Sequence, residues 1–123
     1  MARVLIIDDS FEVVNALTVF LETAGYEVKN TTNAFEGLDI FADFEPDIVI
    51  TDMLMPDMDG VEVIKAIRKA GSVIPIVAIS GGGQKTLDSE YTLGLASAFG
   101  ANASLSKPVD PVRLLEIISQ YAG

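Results

Sequence analysis

The sequence predicts one doubly wound α/β domain, with a five-stranded parallel sheet in the order 2-1-3-4-5. Five short apolar runs alternate with five helical patterns, and such alternation is typical of a parallel sheet with helices on both faces. Three of the runs are nearly continuous in Val and Ile, as strands buried on both faces are. Because crossovers between parallel strands are right-handed, few other topologies remain. We expect residues 1–123 to form a single domain with no second domain after it.

The five strands are predicted at residues 3–7, 26–30, 47–51, 74–79 and 102–105. The second run alternates apolar and polar residues from Tyr26 to Lys29, which indicates an edge strand.

Helix-capping residues precede four of the five predicted helices. Ser10 and Asp110 are placed to cap the first and last helices, and Pro111 suits a first helical position. Asn33 and Asp59 are each followed three residues later by Glu, the pattern of a capping box. The inward face of the third helix is predicted to be Val63, Ile64 and Ile67, and that of the fourth to be Leu87, Tyr91, Leu95, Ala98 and Phe99.

Composition excludes several kinds of site. The chain has 18 acidic residues, 8 basic residues and no His, which gives a formal charge of 8 − 18 = −10. This balance argues against nonspecific binding of nucleic acid or anionic lipid, which needs clustered Lys and Arg. With no Cys and no His, disulfides, thiolate chemistry and imidazole ligands are excluded as well.

The start of the sequence resembles neither a signal peptide nor a membrane anchor. The apolar run at residues 3–7 begins almost at the first residue, with no basic segment followed by an apolar signal segment, and no apolar stretch approaches the roughly 18 residues of a membrane span. We therefore expect a cytoplasmic protein with no membrane partner.

Polar residues follow four of the predicted strands. Asp8 and Asp9 follow the first strand, Asp52 the third, Ser80 the fourth and Lys107 the fifth. Ligands of such sheets bind at the carboxyl ends of the strands, so we expect these side chains to meet. Three crowded carboxylates raise one another's pKa unless a cation is present, and Mg²⁺ prefers carboxylate oxygens. Lys107 and Ser80 suit phosphoryl oxygens, and an Asp can itself accept a phosphoryl group.

The chain resembles the receiver domains of bacterial two-component response regulators over essentially its whole length. The matching segments are 5–9 (Leu-Ile-Ile-Asp-Asp), 46–60 (Pro-Asp-Ile-Val-Ile-Thr-Asp-Met-Leu-Met-Pro-Asp-Met-Asp-Gly), 74–80 (Ile-Pro-Ile-Val-Ala-Ile-Ser), 100–101 and 105–108 (Leu-Ser-Lys-Pro). The resemblance implies a flavodoxin-like fold, with a phosphorelay function. It implies a protein that catalyses only its own phosphorylation and slow dephosphorylation. Since we expect one domain and no output domain, the chain would be a diffusible single-domain regulator, a phosphorelay intermediate or an excised fragment of a larger regulator.

The resemblance also implies a role for each residue at the strand ends. Asp52 would accept the phosphoryl group from the phosphohistidine of a sensor kinase or histidine phosphotransfer protein. Mg²⁺ would be held by Asp8, Asp9, Asp52 and the backbone carbonyl of Leu54. Ser80 and Lys107 would contact the phosphoryl oxygens, and the Lys107–Pro108 bond would be cis. Signalling would follow through contacts with a downstream protein.

Two features depart from the family pattern. Ser104 stands three residues before Lys107, where an aromatic residue is usual. Ser80 and Lys107 are 107 − 80 = 27 positions apart, several more than usual, and the extra length is placed at the glycine-rich segment 81–85. We hypothesise that this segment becomes ordered on phosphorylation and carries the signal to the fourth helix.

Three other functions fit the sequence less well. A phosphate-binding P-loop fails because Ile79 and Gln84 occupy positions that require glycine. An aspartate-nucleophile phosphatase normally has a second Asp two residues after the nucleophile, where this chain has Leu54; repeated turnover would identify one. A degenerate receiver that only docks to partners is disfavoured because all five polar residues at the strand ends are present.

Overall fold

The computed structural model describes residues 2–81, 94 and 96–122. Its five strands form one parallel sheet in the order 2-1-3-4-5, as predicted. The strands are β1 (Arg3–Ile7), β2 (Glu27–Thr31), β3 (Ile48–Asp52), β4 (Ile76–Ser80) and β5 (Ala103–Ser106). The helices are α1 (Phe11–Thr23), α2 (Ala34–Phe44), α3 (Gly60–Lys69), α4 (described at residues 94 and 96–99) and α5 (Pro111–Ala122). The first strand has its predicted bounds, and the bounds of the other four differ from the predicted ones by one or two residues.

Both faces of the sheet are buried, which explains the continuous apolar runs. Successive side chains of a strand point to opposite faces, so Val4 and Ile6 of β1 pack with α1 and α5. Leu5 and Ile7 pack on the other face with residues of α2 and α3. The edge strand β2 is mostly exposed, as its alternating sequence predicted.

The predicted helix caps are confirmed. Ser10 Oγ accepts a hydrogen bond from the Val13 backbone N–H at 3.3 Å. Asn33 Oδ1 accepts from Glu36 N–H at 2.9 Å, and Asp59 Oδ1 accepts from the Glu62 N–H at 2.9 Å. Each cap satisfies a backbone donor that the first helical turn leaves unpaired. The caps fix where α1, α2 and α3 begin after the strands that precede them.

Arg68 joins α3, the segment before β4 and the segment before β5, at the end of the sheet where β4 and β5 begin. Its guanidinium donates to the carbonyls of Ser72, Ile74 and Gly100 and to Asn102 Oδ1, at 2.7–3.1 Å. The carbonyl of Ile74 is therefore paired with Arg68 before β4 begins, and this explains why the strand starts at Ile76 and not at the predicted residue 74. Burial lowers the pKa of Arg68.

The predicted inward face of α4 is wrong at its described end. Ala96 is buried, whereas Ala98 and Phe99 are exposed. Ala98 is turned by about 200° from Ala96 around the helix and therefore faces outward, and Phe99 is the last residue of the helix. Leu87, Tyr91, Leu95 and the segment 82–85 lie outside the described residues. No helix in the described part of the chain is long and apolar enough to cross a membrane.

Candidate functional site

Three carboxylates meet at the carboxyl ends of β1 and β3. Asp8, Asp9 and Asp52, called here the acidic cluster, each contribute an oxygen, and these oxygens lie within 4.8 Å of one another. Asp8 and Asp52 are buried, while Asp9 is exposed. The parallel topology brings together side chains that are 44 positions apart in the sequence (52 − 8), as predicted.

Backbone groups hold the two buried carboxylates. The N–H of Asp8 continues the β1–β2 pairing by donating to the Thr31 carbonyl at 3.2 Å. Asp8 Oδ1 accepts a hydrogen bond from Ser10 N–H at 2.9 Å. Asp52 Oδ1 accepts from the Met53 N–H at 2.8 Å, with the Leu54 N–H at 3.5 Å. Each carboxylate is thus fixed by the turn that follows its own strand.

Lys107 supplies a positive charge beside these carboxylates. Its Nζ lies 3.0 Å from Asp8 Oδ2 and 3.3 Å from Asp52 Oδ2. The backbone N–H of Lys107 donates to the Ser80 carbonyl at 2.8 Å, which ties the end of β5 to the end of β4. The predicted cis bond between Lys107 and Pro108 is confirmed.

The charges of the site perturb one another. Burial, with the negative charge of Asp8 adding to it, raises the pKa of Asp52 to about 7, although Lys107 acts in the opposite direction. Burial alone would lower the pKa of Lys107, but its contacts with Asp8 and Asp52 reverse this effect and raise it. The site therefore holds more negative charge than its single ammonium can neutralise.

Two buried polar atoms in the site have no hydrogen-bond partner among the described residues. Ser80 is fully buried at the end of β4, and its Oγ is unpaired. Asp8 Oδ2 accepts no hydrogen bond either, but it is ion-paired, because Lys107 Nζ lies 3.0 Å from it. A buried hydroxyl without a partner is costly, and Ser80 Oγ therefore fits a phosphoryl oxygen. The purely oxygen donor set fits a hard cation such as Mg²⁺.

Gly60 allows α3 to begin against the end of β3. A Cβ at this position would lie 2.5 Å from the Asp52 carbonyl oxygen and 2.5 Å from Met53 Sδ. The Gly60 N–H donates to the Met53 carbonyl at 3.0 Å, closing the β3–α3 loop, residues 53–59. A side chain at residue 60 would displace the segment that carries Asp52.

Ser104 lies on β5 and is exposed, paired in register with Ala78 of β4. The described residues 100–107 therefore present no aromatic side chain beside Ser80. Leu54 lies in the β3–α3 loop two residues after Asp52, and its side chain is exposed.

A comparison with protein families identifies this arrangement. A family model described as the response regulator receiver domain matches residues 4–119. The chain belongs to the response regulator receiver family. Receiver domains are signalling modules of two-component systems, and the predicted family and fold are confirmed.

Relatives of this receiver domain cover nearly its whole length. The protein PilH of Pseudomonas aeruginosa is 33% identical over 121 residues, which are 97% of this chain and 96% of PilH. The chemotaxis protein CheY of Thermotoga maritima is 34% identical, over 98% of this chain and 97% of CheY.

Solved receiver structures agree with the fold. The chemotaxis response regulator CheY4 of Vibrio cholerae is 30% identical, with a TM-score of 0.85 over 98% of each chain. A response regulator receiver domain from Clostridium thermocellum is 31% identical, with a TM-score of 0.88 over 99% of this chain and 94% of the other.

One contact of the site could not be predicted from the sequence. Asn33 Nδ2 donates to Asp57 Oδ2 at 3.1 Å, joining the turn before α2 to the β3–α3 loop. Both residues are typical turn residues, and nothing in their spacing signals that they meet.

Proposed function

We propose that this receiver accepts a phosphoryl group on Asp52 from the phosphohistidine of a partner protein. The observation that carries the proposal is the position of Asp52. Its carboxylate lies beside two other carboxylates and 3.3 Å from the Lys107 ammonium, at the end of a fully buried strand. A fixed carboxylate next to a cation suits nucleophilic attack on phosphorus.

The transfer forms one bond and breaks one. An Asp52 carboxylate oxygen attacks phosphorus, and the P–N bond to the partner's imidazole breaks. The electron pair of that bond stays on the ring nitrogen, which takes a proton from solvent. The product is an acyl phosphate on Asp52, and attack by water on its phosphorus later returns the free carboxylate.

Lys107 and Ser80 would stabilise the transferring group. The ammonium now contacts Asp52 and Asp8, and it would pair with a phosphoryl oxygen once Asp52 is modified. The unpaired Ser80 hydroxyl would donate to another oxygen of the group. Both contacts compensate charge that otherwise accumulates in a buried place.

Mg²⁺ is the cation that these residues would hold, through Asp8, Asp9, Asp52 and the Leu54 backbone carbonyl. Bound there, it would supply positive charge for the phosphoryl oxygens and relieve repulsion within the acidic cluster. The absence of Cys and His from the chain is consistent with this choice over a softer metal.

We propose that the partner is a sensor histidine kinase or a histidine phosphotransfer protein, since the chain itself contains no His. Residues 1–123 would act in the cytoplasm as the receiver module, passing the signal through contacts with another protein. Its only catalysis would be its own phosphorylation and slow dephosphorylation.

Intact-mass spectrometry tests the proposal. The protein is mixed with a small phosphodonor, with Mg²⁺ or with a chelator. We expect one phosphoryl adduct in the presence of Mg²⁺, stable in mild acid and lost in base, and none on Asp52→Asn. Asp39→Asn, an exposed residue of α2, is the matched control and should be modified like wild type. An equal adduct on Asp52→Asn would refute the assignment.

A further inference from the structure

The Asn33 side chain connects two loops at the edge of the site. Its Oδ1 caps α2 by accepting from the Glu36 N–H at 2.9 Å. Its Nδ2 donates to Asp57 Oδ2 at 3.1 Å, in the β3–α3 loop. Both ends of one amide are therefore engaged, which fixes its orientation.

The position of Asn33 is itself fixed from β2. The Asn33 N–H donates to Thr31 Oγ1 at 3.1 Å, and that hydroxyl donates to Glu36 Oε1 at 2.6 Å. The Thr31 carbonyl accepts from the Asp8 N–H, and Thr31 is buried. Asn33 is thus attached to the strand that lies directly beside Asp8, which makes it a rigid point for the loop to bind.

The β3–α3 loop depends on this bond. Its two ends are held, because Met53 N–H donates to the Ile79 carbonyl and Gly60 N–H donates to the Met53 carbonyl. Among the described residues, the Asn33–Asp57 bond is the one hydrogen bond that joins residues 54–58 to a part of the chain other than β3. Met55 and Met58 are partly buried against the core, whereas Leu54, Pro56 and Asp57 are exposed, so packing fixes only part of this segment.

We infer that Asn33 is a positioning residue, which holds the β3–α3 loop through Asp57 so that the Leu54 carbonyl stays where a bound Mg²⁺ needs it. The inference rests on the proposed function, because Leu54 matters only if a cation binds there. Groups that orient metal ligands, without touching the metal, commonly set its affinity.

The decisive variant is Asn33→Ser. Ser is also a good helix cap and leaves the charge unchanged, but it is too short to reach Asp57. We expect Mg²⁺ to bind about 10-fold more weakly, measured by calorimetric titration. In the metal-free protein, hydrogen exchange at the backbone amides of Leu54, Met55, Asp57 and Met58 should become faster.

Asn30→Ser is the matched control. Asn30 is exposed, and its Nδ2 donates to Thr18 Oγ1 at 2.8 Å, away from the loop. The same substitution there removes a comparable hydrogen bond, and both readouts should keep their wild-type values. Equal effects of the two variants would overturn the inference, because a general loss of stability would then explain them.

Reversing the bond gives the rescue. In the double variant N33D/D57N, Asp still caps α2 and the new amide at residue 57 can donate to the new carboxylate at residue 33, with the net charge unchanged. We expect Mg²⁺ affinity and loop protection to return towards wild type. A double variant as impaired as Asn33→Ser would overturn the role of the bond.

Failure of this inference can be distinguished from failure of the proposed function. If the wild-type protein binds no Mg²⁺ and forms no adduct, both are defeated. If the wild type binds Mg²⁺ and forms the adduct, but Asn33→Ser behaves like wild type, this inference alone is defeated.

Discussion

Lys107 Nζ lies 3.3 Å from Asp52 Oδ2 although 55 residues separate them in the sequence. The same ammonium lies 3.0 Å from Asp8 Oδ2. One cation therefore compensates two buried carboxylates, with the exposed Asp9 close by. This imbalance of charge leads to the predictions that follow.

Replacing Asp52 with Asn should stabilise the metal-free protein at neutral and higher pH. The pKa of Asp52 is about 7 in the folded chain, compared with an ordinary value of 3.8. Since the folded state binds this proton more tightly than the unfolded state, protonation of Asp52 stabilises the wild-type fold. This contribution is fully present below pH 3.8 and is lost as the pH rises through about 7. We expect Asp52→Asn to gain about 1–3 kcal/mol at pH 8 in chelator.

Urea unfolding from pH 4 to 8 measures this effect. The wild-type free energy of unfolding should fall relative to that of Asp52→Asn as the pH rises. Asp8, Asp9 and Lys107 are the other charged groups that face Asp52, and both proteins keep them. Asp39→Asn serves again as the exposed control and should follow wild type. Parallel pH profiles for Asp52→Asn and wild type would contradict a raised pKa.

Lys107→Met should destabilise the metal-free protein and increase its response to Mg²⁺. Removing the ammonium leaves two buried carboxylates without a partner, which we expect to cost about 2–4 kcal/mol. A cation bound only by the folded state then stabilises it by mass action. The shift in melting temperature caused by Mg²⁺ should be larger than in wild type.

Lys65→Met is the comparison for this prediction. Lys65 is exposed, and its contact with Glu62 is 3.9 Å, so its loss should cost less than about 1 kcal/mol. A Lys107→Met protein as stable as Lys65→Met in chelator would show that Lys107 does not compensate the acidic cluster.

Gly60→Ala should lower stability and reduce phosphorylation. The added Cβ would meet the Asp52 carbonyl and Met53 Sδ at 2.5 Å, so the turn has to shift, at about 1–3 kcal/mol. Gly94→Ala is the control, since Gly94 is helical and its Cβ would have nothing within 4 Å among the described residues. That change should stabilise by up to about 1 kcal/mol. Thermal unfolding and adduct yield measure both variants, and a Gly60→Ala protein that matches Gly94→Ala would refute the close approach.

Arg68→Met should destabilise the protein without changing the site. Arg68 makes four hydrogen bonds to two segments, residues 72–74 and 100–102, at the end of the sheet opposite to Asp52, and their loss should cost about 2–4 kcal/mol. The exposed Arg113→Met, whose contact with Glu116 is 3.9 Å, should cost far less. Chemical unfolding tests this, and equal stabilities would contradict the bridging role.

The sequence predicted the sheet and the acidic cluster because each depends on a local pattern. Apolar runs end in Asp8, Asp52 and Ser80, and parallel strand order then brings these ends together. The caps Ser10, Asn33 and Asp59 were predicted for the same reason, since capping acts over three residues.

Contacts between distant polar residues that do not lie at the carboxyl ends of the strands could not be predicted in this way. Arg68 suits the end of any helix, and its bond to Gly100, 32 residues away, leaves no periodic signal. The same holds for Asn33 and Asp57, 24 residues apart. The orientation of Phe99 was wrong because an apolar residue near a helix end fits an inward or an outward face equally well.

The central claim is that Asp52 carries the phosphoryl group, and locating the adduct tests it most directly. After reaction with a phosphodonor and Mg²⁺, borohydride reduces an aspartyl phosphate to homoserine, and peptide mass spectrometry then finds the changed residue. We predict homoserine at position 52 alone, and none when Mg²⁺ is omitted. Homoserine at position 8 or 9, or at no position despite a phosphoryl adduct, would contradict the account.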